Sequence, residues 1–475
     1  MNVSKESGLA SKTVSRRTQT PRGGVLRKAG GLGGAALLMM ASGGAFALNT
    51  GTDANLSMKP ASGAMAGAAY TKPQEASAAV FGNPATLTQF SGTNFGIGAA
   101  YLAPGVEVRQ SGAAGARSSN SEAEDYVAPD VAVTHELGGG WYLGAGLEVD
   151  AGLGADYRNS PITIPSVSAD PVVTGLPLLV ELLSFNVNLA AAKKLTPQTS
   201  VGAALTVGFG LAQLGTAGPA GSFGGLLGPA GCNPLVPGSC GFGGTSASVH
   251  DFGFGGSLGV THQLTPAMML SAAIKSPVKY DFKNILHTTV GTAGFQNLNL
   301  EQPLELVVGA AYDIAPNWMV ETDLVWKNWS NAKAYEDVYE DQFLLSVGTQ
   351  YKTGPWSLRM GYSYAEDILR NTPNSTLSGL RGLGPVPLSG PLGVELVKLV
   401  QATLLPVVWN HTLTAGVGYD LSRNVRLDTF AAYAFKGEVS RTTNIAANLG
   451  IPVGPETYQT DVKAWAVGVG LNFKF

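Results

Sequence analysis

The C-terminal stretch KAWAVGVGLNFKF sorts its side chains by parity. Trp465, Val467, Val469, Leu471, Phe473 and Phe475 fall on one face of an extended strand, and Ala464, Ala466, Gly468, Gly470, Asn472 and Lys474 fall on the other, since successive strand residues point to opposite sides. One face is large and apolar, the other small or polar. In a soluble sandwich the apolar face is core; in a transmembrane barrel it meets lipid while the small, polar face lines the lumen. The same parity recurs in WSLRMGYSY (356–364), NVRLDTFAAYAF (424–435) and MVETDLVWK (319–327), where Arg359, Arg426, Asp428, Glu321, Asp323 and Lys327 all sit on the non-apolar face. Charges at strand centres are costly unless they face water or one another, so a polar lumen is the simplest reason.

Turn chemistry supplies the connectivity. Short breaks fall at Gly138-Gly139-Gly140, Thr196-Pro197, Thr265-Pro266, Ala315-Pro316, Thr353-Gly354-Pro355 and Ser422-Arg423-Asn424. Between them lie long irregular segments near 104–122, 158–180, 213–249, 284–297, 331–341, 369–407 and 439–457. Short turns alternating with long loops predict an all-β, antiparallel transmembrane β-barrel of about fourteen strands over residues 93–475, with both chain ends on the periplasmic side. Trp141, Trp318 and Trp356 each follow a short turn, where an interfacial aromatic girdle belongs. The competing architecture is a large secreted β-sandwich or repeat protein.

The N-terminus bears on the same choice. Lys5, Lys12, Arg16, Arg17, Arg22, Arg27 and Lys28 precede the uncharged run AGGLGGAALLMMASGGAFA. A basic region, a short apolar region and an Ala-x-Ala site predict a signal peptide over residues 1–47 and a mature chain from Leu48. A membrane anchor is the rival, but the run is Gly-rich and barely long enough to span. Arg16-Arg17 lies far from the apolar run, which favours ordinary over twin-arginine export. The mature chain carries 23 Lys/Arg against 32 Asp/Glu, a formal charge of −9, which argues against nucleic acid. Charged residues make up only 13% of the sequence, against about a quarter in ordinary soluble domains.

Fourteen strands enclose more space than their own side chains fill, eight being about the limit. Something must occupy the lumen or the barrel leaks. Residues 48–92 precede the first strand, are rich in small residues (ASGAMAGAAY) and break at Asn83-Pro84; their position and composition predict a plug folded into the lumen.

On Asn83-Pro84-Ala85, APDVAVTHEL, SPVKYDFK, NWMVETDLVWKNWS and the terminal KAWAVGVGLNFKF, the chain from about residue 61 to Phe475 resembles the FadL family of outer-membrane transporters for long-chain fatty acids and other hydrophobic compounds. The resemblance implies a hatch bearing Asn83, Pro84 and Ala85. It also implies an inward kink in the third strand that opens a sideways exit into the outer leaflet. EVDAGLGADY is that strand by the turn count, and Gly152 and Gly154 interrupt its alternation as a bulge or bend would; Gly merely easing curvature is the alternative. Terminal Phe475 implies recognition by the barrel-insertion machinery. Outer-membrane lipid and lipopolysaccharide are the expected surroundings, and a monomer the expected state.

The expected function is passive uptake of long-chain fatty acids or similar hydrophobic compounds. An alkyl chain gains about 0.8 kcal/mol per buried CH₂ and would move between apolar patches rather than through water. GLPLLVELL (175–183), GSFGGLLGPAG (221–231) and residues 384–409 are apolar outer-loop segments suited to first contact. In the last of these, Leu392, Leu396, Leu399 and Leu404 lie near helical spacing; packing that simply closes the loop face is the alternative. Lys275, Lys279, Arg359 and Arg426 are candidate partners for a fatty carboxylate, with pairing to Glu321, Asp323, Asp281 and Asp428 as the competing role. The basic residues that hold the carboxylate in fatty-acid-carrying members have no placed counterpart here, which keeps neutral aromatic or aliphatic hydrocarbons as alternative cargo. Cys232 and Cys240, on one extracellular loop, predict a disulfide. No cofactor or metal is expected. Gly255-Gly256-Ser257-Leu258-Gly259 matches a nucleophile-elbow pattern, but it lies in an alternating strand with Ser257 facing the lumen, so no enzyme is expected. A nonspecific porin is disfavoured by the plug, and an adhesin role stays open.

Overall fold

The computed structural model describes residues 55–112, 115–165, 173–216, 248–288, 294–371, 373, 391–406, 409–448, 450 and 452–475. The predicted signal peptide, the loop segment 221–231 and the pair Cys232 and Cys240 lie outside the described residues.

One antiparallel sheet closes on itself through fourteen strands: β1 (Thr93–Ser111), β2 (Tyr126–Gly138), β3 (Trp141–Asp156), β4 (Leu178–Lys194), β5 (Thr199–Thr216), β6 (Val249–Thr265) and β7 (Met268–Lys275), then β8 (Glu305–Ala315), β9 (Trp318–Lys327), β10 (Gln342–Thr353), β11 (Trp356–Ala365), β12 (His411–Asp420), β13 (Val425–Thr443) and β14 (Glu456–Lys474). Each pairs with its neighbour in sequence. Closure comes from β14 returning to β1, in register from Asn94 opposite Lys474 to Ser111 opposite Thr457. Phe475 and Thr93 then exchange backbone hydrogen bonds beside the seam. Closure joins the first and last strands, so the sheet has no terminal edge strand facing lipid, which is what allows strands to cross a membrane.

Parity follows the sequence pattern. Leu205, Met360, Phe254 and Val469 point outward, 70%, 65%, 72% and 51% exposed, while Glu321, Arg359 and Asp428 are buried inside. A soluble sandwich would reverse this, so the outward apolar band identifies a lipid-facing wall. Trp141, Trp318 and Trp356 are half exposed at the starts of β3, β9 and β11, just after short turns. All six even-to-odd connections, from β2–β3 to β12–β13, are short and the seven others are long.

Two stretches depart from expectation. The wall strand containing Lys275 ends there, and the next four residues include Pro277, which has no N–H for a ladder. SPVKYDFK instead leads into a separate hairpin, Lys279–Thr288 paired with Glu301 back to Gly294. This hairpin folds against the inner wall: Tyr280 and Phe282 stack at 5.6 Å between centroids and cover Gly208 and Gly210, where any Cβ would collide with their rings. The second departure is GLPLLVELL, whose Leu178–Leu183 portion belongs to wall strand β4 rather than to a loop. A helix does form over Pro391–Thr403. It lies across the outer mouth, where Val397 and Ala402 are buried and Gln401 Nε2 donates to Val338 O at 2.9 Å.

Glycines on the inner wall are where the N-terminal segment touches it. A Cβ at Gly361 would lie 2.3 Å from the Met65 carbonyl carbon, and one at Gly202 would lie 2.4 Å from that of Pro84. Both contacts are with backbone, which cannot swing aside as a flexible side chain can. Gly361→Leu should therefore leave the closed ladder intact and unseat the segment inside it. The expected result is normal heat-modifiable migration of the inserted barrel with increased leakage of small sugars; a tight barrel would contradict the close approach.

Candidate functional site: an occluded lumen and a split in the wall

Residues 55–90 occupy the lumen as short helical pieces: Asn55–Met58, Pro60–Gly63, Ala76–Phe81 and Pro84–Gln89. Nearly all are buried. Their Ala-rich sequence allows backbone to approach the wall closely, and small residues cost little side-chain entropy on burial.

Asn83-Pro84-Ala85 is the knot of this segment. Asn83 caps the turn that follows, its Oδ1 accepting from Ala85 N at 3.1 Å, while Pro84 takes the first helical position, where its missing N–H is no loss. The same side chain donates Nδ2 to Tyr70 O at 3.1 Å and to Val260 O of β6 at 3.4 Å. One amide thus ties together both halves of the plug and the wall.

The wall grips the plug mainly through carboxylates. Glu321 and Asp323, two apart on β9 and both facing inward, accept from backbone N–H groups: Thr71 N to Glu321 Oε1 at 2.7 Å, Lys72 N to the same oxygen at 3.1 Å, and Tyr70 N to Asp323 Oδ2 at 3.1 Å. Lys72 Nζ also reaches Asp313 at 2.6 Å. On the other side, buried Lys59 pairs with Glu148 of β3. Such hydrogen bonds are directional, so these contacts help to fix the orientation of a plug that also packs Val80, Phe81 and Leu87 against small wall residues.

Lys59 grips the wall where it divides. The β2–β3 ladder runs from Gly138 opposite Trp141 to Asp130 opposite Glu148 and stops there. Above it, Tyr126–Pro129 pair only with β1, and Val149–Asp156 pair only with β4, whose register slips between Val149 and Ala151 to leave Asp150 as a bulge. Pro129 has no N–H to continue the ladder. The outer part of the split is bridged by the β1–β2 loop: Glu122 N donates to Asp156 O at 2.8 Å, and Asp156 N to Ser121 Oγ at 3.0 Å. Gly154 lies on this upper segment, where a Cβ would come 2.7 Å from the Tyr126 hydroxyl. Gly152 borders an apolar crevice with Leu153, Leu182, Tyr280 and Phe282.

Each sequence-derived cation has an acidic neighbour. Arg359 meets Asp428 at 2.6 Å, both fully buried; Arg426 meets Asp420 at 2.6 Å; Lys275 lies 3.4 Å from Glu305; and Lys279, on the inner hairpin and 73% exposed at its side chain, lies 3.3 Å from Glu301. Ser257 faces the lumen in the middle of β6 rather than on a strand-to-helix elbow. Sequence reasoning overlooked Lys59, Glu75, the Glu321/Asp323 clamp and the inner hairpin. The paired inward carboxylates of MVETDLVWK were the available signal: two like charges on one small face imply donors opposite them.

A closed, outward-apolar barrel with a helical segment wedged in its lumen is an outer-membrane transport barrel. The chain belongs to the outer membrane protein transport protein (OMPP1/FadL/TodX) family, whose sequence profile matches residues 34–377. It is 22% identical over 433 residues to a long-chain fatty acid transport protein of Salmonella typhi, covering 83% of this chain and 87% of that one. Its fold is similar to that of the toluene transporter TodX of Pseudomonas putida, with TM-score 0.62 and 20% identity over 89% of this chain and 99% of that one. A Pseudomonas aeruginosa FadL homologue is also similar, with TM-score 0.61 and 12% identity over 92% of this chain and all of the other. Family membership places the protein in the bacterial outer membrane.

Within the plug, Glu75 accepts from Ser62 N at 2.8 Å, Ser62 Oγ at 2.7 Å and Ala61 N at 3.1 Å. Burial, with Asp130 facing it, outweighs those bonds and pushes its carboxyl from the usual 4.5 up to about 7. For Lys59, burial acts to lower the ammonium, but Glu148 and Asp130 more than offset it and hold it above the ordinary lysine value. The raised Glu75 means the seated plug binds a proton more tightly than the unseated one. Its contribution is full below about pH 4.5 and is lost as pH rises through about 7. Amide exchange in residues 55–90 should therefore speed up between about pH 5 and about pH 8 beyond its intrinsic pH dependence. Glu75→Gln should flatten that excess; an unchanged excess in this variant would assign it to another group.

Proposed function

We propose that this chain carries long-chain fatty acids or similar hydrophobic compounds passively across the outer membrane, after signal-peptide-directed export. Outer-loop apolar surface captures the molecule, the plug shifts, and the cargo leaves sideways through the split between β2 and β3 into the membrane. The observation that carries this reading is the placement of the split: the ladder opens at Asp130 and Glu148, the pair that faces Lys59 of the plug. Movement of the plug is thereby tied to the edge of the opening. A sideways path suits such cargo, because leaving an apolar crevice for lipid avoids the cost of rehydrating each CH₂, about 0.8 kcal/mol. Long-chain fatty acids are the named substrates of the Salmonella typhi relative. Asn83, Pro84 and Ala85 serve as the hatch motif, and Gly152 and Gly154 keep the upper part of β3 narrow enough for the path.

Neutral hydrocarbons are the second reading, and one observation favours them. All four candidate carboxylate partners already have an acidic neighbour at 2.6–3.4 Å, so binding a fatty carboxylate would mean exchanging partners. Toluene is the cargo named for the structurally similar TodX.

Uptake by a strain lacking its own hydrophobe transporters, with and without this protein, separates the readings. Rescue of labelled palmitate supports the first, rescue of toluene or an alkane alone supports the second, and rescue of a sugar alone would replace both with an open porin. Gly152→Trp should lower hydrophobe uptake at least tenfold while the barrel inserts normally. Undiminished uptake by the inserted variant would remove the lateral path.

A further inference from the structure

Below the apolar crevice, on the plug side of the lumen, lies a second cavity of about 40 Å³. It has room for roughly three waters, or for the polar end of a small amphiphile. The two spaces adjoin. Gln302 borders both, and Ser184 of the crevice donates to Asp150 of the lower cavity at 3.2 Å. A crevice of leucines and aromatic rings thus sits directly on a polar chamber.

Lys275, whose ammonium lies 3.4 Å from Glu305, is the charged donor of the chamber, and its uncharged groups leave mainly acceptors unused. Asn186 Oδ1, Asn188 Oδ1, Ser257 Oγ and Gln302 Oε1 border it, each on a residue more than nine-tenths buried, and none has a hydrogen-bond partner among the described residues. The orientation of Asn188 is fixed, since its Nδ2 donates to Val80 O of the plug at 3.3 Å and leaves the oxygen as its unused group. The three amide oxygens can only accept, the Ser257 hydroxyl can do either, and buried acceptors without donors are costly, so the set is suited to a group that donates. Ionic groups around it cancel: Glu148 pairs with Lys59, Glu305 lies 3.4 Å from Lys275 and 3.5 Å from Lys327, and Asp150 offsets the remaining positive charge. No net positive charge is left over to hold a carboxylate.

We propose that this chamber reads the head of the cargo, selecting hydrophobic compounds that end in an uncharged hydrogen-bond donor, an alcohol or phenol hydroxyl, over bare hydrocarbons and over carboxylate anions. This rests on the hydrophobe-uptake reading and narrows its substrate class. The hydroxyl donates to Asn188 Oδ1 or Gln302 Oε1 and can accept from Ser257 Oγ. The chain or ring lies in the crevice between β3–β4 and the inner hairpin. That crevice holds only about 10 Å³ of free space, so a cargo must part Tyr280 and Phe282 from the wall to occupy it. A site that hydrogen-bonds a hydroxyl discriminates strongly against an analogue lacking it, because its own groups are then left unpaired.

The test uses the purified mature chain in lipid nanodiscs, with empty nanodiscs as the reference for partitioning. Calorimetric binding is compared within two matched sets at about pH 7, where the acids are ionised: toluene, p-cresol and 4-methylbenzoate; and dodecane, 1-dodecanol and dodecanoate. At least one hydroxyl compound should bind about tenfold tighter than its hydrocarbon and its carboxylate, which is what one or two net hydrogen bonds supply. In the double variant Asn188→Leu with Gln302→Met, folding being checked by heat-modifiable migration, that ratio should fall to about one. Ser257→Ala, a smaller change, should lower it part way. Equal binding of p-cresol and toluene and of the dodecyl pair, or tightest binding by the carboxylates, would overturn the head-group inference and leave hydrophobe uptake standing. Binding of none of the six, joined to a failure of uptake in cells, would overturn both.

Discussion

Everything in this molecule depends on the absence of water in the bilayer core. A strand crossing lipid must have all its backbone hydrogen bonds met by other strands, so the sheet has to close, and the β14–β1 ladder is the contact that closes it. Closure with fourteen strands leaves an interior too wide for wall side chains to fill. The plug, the inner hairpin and the buried ionic groups are all answers to that one excess of volume.

The plug packs its alanines, Val80, Phe81 and Leu87 on small wall residues and is oriented by polar contacts. Its contacts with β9 run from backbone N–H groups to Glu321 and Asp323, and its contact with β3 is an ion pair. Such contacts are directional and break one at a time, and the wall residues facing the plug's apolar side chains are mostly alanines, which interlock little. A polar seat is therefore compatible with a plug that shifts. The split between β2 and β3 is the complement of that arrangement. There two neighbouring strands run past each other unpaired, and the plug grips the lower corner. Pro129 on one side has no N–H to offer, and on the other β3 shifts register against β4 at Asp150 just above the last β2–β3 pair, so the opening coincides with backbone irregularities on both strands.

The inner hairpin divides the upper lumen into surfaces of different character. Tyr280 and Phe282 turn an otherwise glycine-lined wall into an aromatic one, and they meet the leucines of β3 and β4 across a narrow crevice. Just below, asparagine, glutamine and serine side chains face a cavity instead of pairing with one another. The lumen thus changes from apolar to polar over the length of a small amphiphile, with the plug as its floor.

Sequence alone carried the barrel, its strand count, the alternation of short and long connections and the outward aromatic positions. Strand parity has a period of two and is written in neighbouring residues, and the turn residues Gly, Pro and Asn act locally. Asn83-Pro84-Ala85 was legible as a turn for the same reason. What the sequence could not assign was partnership. Whether Arg359 meets a ligand or Asp428, whether SPVKYDFK continues the wall or folds inside it, and which carboxylates hold the plug all depend on residues far apart in the chain. Glu321 and Thr71 are 250 positions apart, and no local pattern links them. Only closure of the barrel brings them within a hydrogen bond, because the register of each strand, fixed locally, decides the inner face only after all fourteen are joined.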